Sequence, residues 1–309
     1  MDLRIAFLGT PDFAIPSLAR LAENFTIAGV VSQPDRPAGR GRKLIPTPVK
    51  KTALALGLEV YQPADVNEES SLEVIQSWDV DLICVAAFGQ ILKEALLSLP
   101  EAGCLNVHAS LLPRWRGASP INAAILAGDA HSGVTIMKMG PGLDDGPILA
   151  QEAVPIQPNE TAGILSDRLA ALGGVLLVKT IPPYIRGEIV PRPQDPNLAT
   201  YAGMLKKKSG ELDFNQSAAD LARKVRAFSP WPGTYTTWEG KRLLVHQASG
   251  SSVTSPGVGV FLIIEEKPAI GTREGILVLE ELQMAGKRSI SGKDFLNGNP
   301  GWMQSTHNQ

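Results

Sequence analysis

Cysteine is scarce in this chain, with only Cys84 and Cys104 among 309 residues. Both lie in apolar, strand-like runs and read as reduced core residues of a cytosolic protein, which excludes a disulfide framework and thiol catalysis. Histidine is nearly as rare. The four, at 108, 131, 246 and 307, show no metal-ligand spacing with cysteines or acids, so no metal is expected. No apolar run approaches the ~20 residues that span a bilayer, and a strand-like run opens at Leu3, leaving no room for a leader peptide. A cytoplasmic protein with no membrane partner is the expectation. Neither sign of charge dominates: 29 basic against 31 acidic residues gives a net −2. Affinity for a polyanion must therefore come from local clusters. Phosphate-binding glycine loops are also missing. The first βα turn, Gly9-Thr10-Pro11-Asp12, lacks the G-x-G-x-x-G spacing, Gly39-Arg40-Gly41 opens no helix after a strand, and there is no G-x-x-x-x-G-K-[ST]. These gaps weigh against a nucleotide cofactor.

What is present is an ordinary globular composition, 44% hydrophobic and 19% charged, in a chain longer than most single domains. Apolar runs at 3–8, 27–32, 80–87 and 103–107 alternate with helical spacing at Ile15, Leu18, Leu21, Ala22 and Phe25 and again around 68–77. Such alternation predicts an α/β domain with a mostly parallel sheet and helices on both faces. A further strand is expected at 133–139 and a long helix at about 161–181. Pro191, Pro193 and Pro196 mark the domain boundary, giving a first domain over 1–189, a linker over 190–204 and a second domain over 205–309. In the second, a helical pattern near 216–228 precedes β-like runs at 234–238, 242–247, 258–264 and 276–282, predicting a small antiparallel barrel. Ser249 to Ser255 reads as a loop.

The strongest chemical signal is Asn106-Val107-His108. Side chains alternate along a strand, so Asn106 and His108 share a face while Val107 turns to the core. Open α/β sheets bind ligands where strands end, and the chain leaves regular structure by Pro113. An amide can hold an oxyanion and an imidazole can move a proton, which together suit chemistry at a carbonyl. Taken alone, the pair reads equally as two residues satisfying local backbone groups.

The neighbouring residues are more specific. Ser110-Leu111-Leu112-Pro113-Arg114-Trp115-Arg116-Gly117-Ala118-Ser119-Pro120-Ile121 resembles the signature of the folate-dependent formyltransferases. Gly140-Pro141-Gly142-Leu143-Asp144-Asp145-Gly146 resembles that family's second active-site loop, with Asp144 36 residues after His108. Gly9-Thr10-Pro11-Asp12-Phe13, Gln33 to Gly41 and Phe228-Ser229-Pro230-Trp231-Pro232-Gly233 extend the likeness along nearly the whole chain. The set is most similar to the members that act on initiator tRNA. Ala109, where glycine is common, and Asp145-Gly146-Pro147 are modest departures.

The resemblance implies a Rossmann-like domain that binds formyl-folate, followed by an OB-like barrel that contacts tRNA. It implies formyl transfer from 10-formyltetrahydrofolate, as co-substrate, to the α-amine of methionyl initiator tRNA. Asn106 and protonated His108 would hold the oxyanion, and Asp144 would orient His108 and help remove the amine proton. Without the resemblance, Asp144 reads as a turn residue in a glycine-rich loop. Formyl-folate would lie along Phe88, Gly89, Gln90, Ile91 and Leu92 and along Ser110, Leu111, Leu112 and Pro113, which offer apolar walls and few polar groups. A monomer is expected.

Segment 35–51 carries Arg36, Arg40, Arg42, Lys43, Lys50 and Lys51 against Asp35 alone, without helical or strand period. It reads either as a solvated surface loop or as a clamp on a phosphate backbone. In the resembled family this loop enters the acceptor stem of the tRNA. Lys206, Lys207 and Lys208 open the second domain and with Arg223, Lys224 and Arg226 extend a phosphate-binding face, unless those last three form the polar side of an amphipathic helix. Within the resembled family, glycinamide ribonucleotide formyltransferases share the Asn–His–Asp set but end after the first domain and lack the basic insert. Formyl-tetrahydrofolate hydrolytic or dehydrogenase modules and sugar-nucleotide formyltransferases can carry a similar second domain but have less reason to keep so basic a loop.

Overall fold

The computed structural model describes residues 3–38 and 43–304. The chain divides into two compact units. One comprises 1–120, 131–155 and 166–202, the other 121–130, 156–165 and 203–309.

The first unit begins with β1 (Arg4–Gly9), α1 (Ile15–Asn24) and β2 (Thr26–Val31). A short hairpin follows, β3 (Arg36–Ala38) with β4 (Lys43–Ile45), then α2 (Pro48–Ala55). Next come β5 (Val60–Tyr61), α3 (Glu69–Ser77), β6 (Leu82–Ala86), α4 (Glu94–Leu97) and β7 (Cys104–His108). After β8 (Arg116–Gly117) and α5 (Pro120–Ala127), β9 (His131–Lys138) and β10 (Ile148–Pro155) complete the sheet. A long helix, α6 (Ala162–Ile185), and β11 (Tyr201–Ala202) end this part of the chain.

The sheet order is β10-β9-β7-β6-β1-β2-β5. Pairing is parallel from β5 through β7, and antiparallel where β9 joins β7 and β10 joins β9. The mostly parallel sheet predicted from the alternation of runs is therefore present. Its centre is apolar on both faces: Ile5, Phe7, Leu8, Ile83, Cys84 and Leu105 are buried, as expected of strands covered by helices. Gly173 on α6 shows how tightly a helix is laid on, since an added Cβ there would meet the Val107 side chain at 2.6 Å. Both thiols are free and buried. Burial raises the Cys84 pKa and pushes that of Cys104 up to about 12, so neither is a nucleophile at neutral pH.

Three local expectations need correction. Segment 35–51 is not one irregular loop: it holds the β3–β4 hairpin and the first turn of α2. Thr47 caps that helix by accepting the Lys50 N–H, and Pro48 occupies the first turn, a start signal that was available in the sequence. The α6 helix runs four residues past the predicted end because Pro182 and Pro183 fall near its C-terminus, where few downstream turns depend on their neighbours. Strand β10 was not anticipated; it is an edge strand with polar Gln151 and Glu152, and edges need no continuous apolar run.

The second unit carries α7 (Ala218–Ala227), β12 (Thr234–Trp238), β13 (Lys241–Ser251), β14 (Phe261–Ile264), β15 (Lys267–Gly271), β16 (Ile276–Met284), β17 (Ile290–Ser291) and α8 (Gly292–Gly298). Pairing is antiparallel throughout, along β12-β13-β16-β15-β14 with β17 on β16. Among the described residues, β12 and β14 are the two ends of this path. Ser249 to Ser251, read as loop, are strand residues paired with Val278, Leu277 and Ile276. The β15 strand escaped notice because Pro268 and Gly271 discourage a strand reading; Pro268 faces Ile263 and lies outside the β16 register, so its missing donor costs no ladder bond there. Trp302 anchors the core, edge-on to Phe261 and Phe295, with its indole N–H donated to the Leu262 carbonyl at 2.9 Å.

Among the described residues, no helix is long and apolar enough to cross a membrane.

Candidate active site

The end of β7 defines the site. Asn106 and His108 are both buried on one face of this strand, in register with Met137 and Thr135 of β9, while Val107 turns toward α6. A glycine-rich loop between β9 and β10 carries Asp144 to the same place. One carboxylate oxygen, Oδ2, faces His108 Nδ1 at 3.6 Å and accepts the Gly117 N–H at 2.8 Å; Oδ1 accepts from Asn106 Nδ2 at 3.5 Å. The other ring nitrogen, His108 Nε2, donates to the Trp115 carbonyl at 2.9 Å. Both ring nitrogens thus face oxygen atoms, which fixes the imidazole plane. The Asn106 contact is long for a hydrogen bond, so its amide can turn toward a stronger acceptor.

Several backbone positions here are unusual. Ala87, Trp115 and Asp144 have φ of 45°, 61° and 48° without being glycine. They follow β6, precede β8 and lie in the β9–β10 loop. The loop is also tightly closed. A Cβ on Gly146 would collide with the Lys138 carbonyl, and one on Gly142 with the Asp145 carboxylate.

The two stretches expected to line the folate site follow β6 and β7, which are adjacent parallel strands. Phe88 and Leu92 are buried in the core with Val85 and Leu96, whereas Gly89 and Ile91 are exposed, Ile91 by 80%. Gln90 spends its amide on the neighbouring chain, Oε1 accepting the Val66 N–H and Nε2 donating to the Ala64 carbonyl. The Thr10 hydroxyl, just past β1, donates to the Phe88 carbonyl at 2.7 Å and ties β1 to β6 at the point where strand order reverses.

On the β7 side, Ser110 and Leu112 are held by a hub sequence reasoning missed. Thr135 Oγ1 donates to the Ser110 carbonyl at 2.6 Å and accepts the Leu112 N–H at 3.1 Å, while Gln151 Nε2 donates to the Leu112 carbonyl at 2.8 Å. Leu112 packs with Met137 and Ile148, and the Pro113 carbonyl accepts the Thr200 N–H. Leu111 is half-buried and packs near Gly133. A polar residue pointing inward from the middle of an antiparallel strand, as Thr135 does, was the available sign.

The basic residues divide into three groups. Arg36 and Lys43 are exposed on the β3–β4 hairpin. Arg40 and Arg42 lie outside the described residues. Lys50 pairs with Asp35 at 2.7 Å, and that hydrogen bond holds the Asp35 carboxyl below its ordinary range, so this lysine is spoken for. Lys206, Lys207 and Lys208 are exposed at a short 3₁₀ turn in the second unit. Of the helix α7 cations, Arg223 pairs with Asp220, Arg226 donates to the Glu160 carbonyl and Lys224 to the Glu211 carbonyl. These three form the polar side of the helix. Elsewhere, His131 is exposed at the start of β9, His246 bonds to Gln283, and His307 is outside the described residues.

An amide, an imidazole and a carboxylate converging at a strand end of an open α/β sheet are groups that can serve acyl transfer. Comparison with known proteins narrows this class. A family profile described as formyl transferase matches residues 3–181, and one described as formyl transferase, C-terminal domain, matches residues 204–300. The chain belongs to the formyl transferase family and is a formyl-transferring enzyme.

It is 45% identical over 300 residues to the methionyl-tRNA formyltransferase of Chloroflexus aggregans, covering 96% of this chain and 97% of the relative. The corresponding protein of Marinobacter nauticus is 44% identical over 302 residues, covering 96% of each. Among solved structures, a sugar 3N-formyltransferase aligns with 93% of this chain and 100% of its own, at a TM-score of 0.67 and 19% identity. A glycinamide ribonucleotide transformylase from Symbiobacterium toebii covers 62% of this chain and 94% of its own, at a TM-score of 0.52 and 24% identity. Likeness at these identities concerns the fold alone.

Proposed function

We propose that this chain transfers the formyl group of 10-formyltetrahydrofolate to the α-amine of methionine esterified to initiator tRNA. The observation that carries the proposal is the convergence of Asn106, His108 and Asp144, in a chain 45% identical over nearly its full length to a methionyl-tRNA formyltransferase. The amine nitrogen attacks the formyl carbon and a tetrahedral oxyanion forms. Asn106 Nδ2–H and the N–H groups of His108, when protonated, are the donors that stabilise it. Asp144 holds His108 in orientation and draws the proton from the attacking amine, directly or through a water. Collapse breaks the bond between the formyl carbon and N10 of the folate, and that nitrogen takes up a proton as it leaves. The exposed positions after β6 and the apolar residues after β7 are the walls we assign to the folate. The reaction itself calls for neither metal nor nucleotide cofactor, and we read the enzyme as a cytoplasmic monomer. Purified protein, formyl-folate and either methionyl initiator tRNA or small amine acceptors decide the reading: formylation of the small amines alone would replace it with a small-molecule formyltransferase.

Two expected results arise here. Asp144→Asn keeps the acceptor for Gly117 N–H but removes the negative charge, so turnover should fall on the order of 10²-fold with a changed pH–rate profile. Full activity with an unaltered profile would reduce Asp144 to a turn residue.

The second concerns Arg36, Arg40, Arg42 and Lys43. An arginine fork can grip a phosphate or base edge with two bonds, and we assign Arg40 and Arg42 to the acceptor stem, with Lys206, Lys207 and Lys208 as further phosphate contacts. Replacing both arginines with alanine should raise the KM for tRNA or lower turnover. It should also flatten the salt dependence of binding by roughly two counterions' worth of slope, while folate affinity holds. Kinetics at two salt concentrations would show it. An equal loss toward a free amine would mean the loop serves the reaction centre and not the tRNA.

A further inference from the structure

The groups that touch His108, the Asp144 carboxylate and the Trp115 carbonyl, are both suspended from one proline-rich segment that sequence reading treats as a linker. Residues 192–202 belong to the first unit. Arg192 exchanges backbone bonds with Ile148, and β11 pairs with β8. Within that strap, Gln194 spends its whole side-chain amide on the site. Its Nε2 donates to the Asp144 carbonyl at 2.8 Å and to the Gly146 carbonyl at 2.7 Å, while Oε1 accepts from Arg116 Nε at 3.0 Å. Two carbonyls on one side and a guanidinium on the other leave the amide a single satisfactory orientation. Thr200 does the same for the facing loop: Oγ1 accepts the Trp115 N–H at 2.9 Å, and its carbonyl accepts the Arg116 N–H at 2.8 Å.

We infer that Gln194 is a positioning residue for formyl transfer, acting through Asp144 and through Arg116 on the Trp115 turn; this rests on the function proposed above. Asp144 has left-handed backbone in a loop with no regular hydrogen-bonded partner strand, so it needs outside support to hold a fixed place. The amide of Gln194 bonds to carbonyls on either side of Asp145, bracketing the Asp144 turn. Displacement of a reacting group by about 1 Å can cost about 10²-fold in rate, so a lost clamp is visible in turnover.

The test compares Gln194→Ala and Gln194→Glu with wild type in the presence of formyl-folate and methionyl initiator tRNA, each variant alone and combined with Asp144→Asn. Gln194→Ala should lower kcat about 10- to 100-fold with little change in either KM or in the melting temperature. Gln194→Glu keeps an acceptor for Arg116 but turns a carboxylate toward two carbonyls, so it should not rescue. In the Asp144→Asn background the Gln194→Ala loss should shrink to about threefold or less, because residues acting through one another are not additive. Amide exchange at Gly117, whose N–H is held by Asp144, should speed up in Gln194→Ala. A wild-type kcat for Gln194→Ala, or an undiminished loss in the Asp144→Asn background, overturns the inference. If wild type does not formylate the tRNA, the proposed function fails instead, and Gly117 exchange alone decides whether Gln194 holds the loop.

Discussion

His108→Ala should lower turnover by roughly 10²–10⁴, the range for a positioned acid–base group, with formyl-folate affinity nearly unchanged. The imidazole is 5% exposed, donates from Nε2 to the Trp115 carbonyl and faces Asp144 Oδ2 from Nδ1 at 3.6 Å, so the variant loses the proposed proton transfer together with the link between the Asp144 and Trp115 turns. Removal also takes the His108 donor from the Trp115 carbonyl, a loss of about 1 kcal/mol for an ordinary hydrogen bond. A melting curve separates this from the chemical effect. Single-turnover kinetics with saturating donor is the decisive measurement. Near-normal turnover under those conditions would rule His108 out of the chemistry and return it to the role of strand-end partner.

Asn106→Ala should lose about 10²–10³ in turnover through the missing oxyanion donor. The present partner of Nδ2, Asp144 Oδ1 at 3.5 Å, is a weak one, so truncation disturbs the resting structure little. Most of the loss should therefore appear in kcat. Asn106→Asp sharpens the comparison, because it keeps the shape but sets an acceptor where a donor is needed and places two carboxylates side by side. Turnover of that variant should not exceed that of Asn106→Ala. If it matches wild type, the amide hydrogens are not what the reaction uses.

Particular residues show what a sequence can carry. The strand ending at His108 was legible because Cys104 to His108 is apolar except where period-two alternation puts Asn106 and His108 on one face. Helix α2 has its start signal in Thr47-Pro48, but the basic run around it carries no helical period. The β3–β4 hairpin could not be read, since strands of three residues have no measurable period. Asp144 was placed by family likeness, because a lone aspartate among glycines carries no periodic signal of its own. Gln194 and Thr200 were invisible for a different reason. Proline-rich polar composition describes a strap bonded along its length as well as a free tether, and only the partners distinguish them. Thr135 lies between these cases: its position on β9 followed from pattern, but its role depends on Ser110, Leu112 and Gln151 arriving from other segments.

The left-handed backbone at Ala87, Trp115 and Asp144 has an evolutionary consequence. Each such residue carries roughly 1–2 kcal/mol of steric penalty relative to a right-handed one, and glycine would remove most of it. The sequence that best stabilises this fold is therefore not the one these three turns carry. Selection for heat resistance alone would drift toward glycine at these turns, and a lineage that retains side chains there is retaining geometry at the expense of melting temperature.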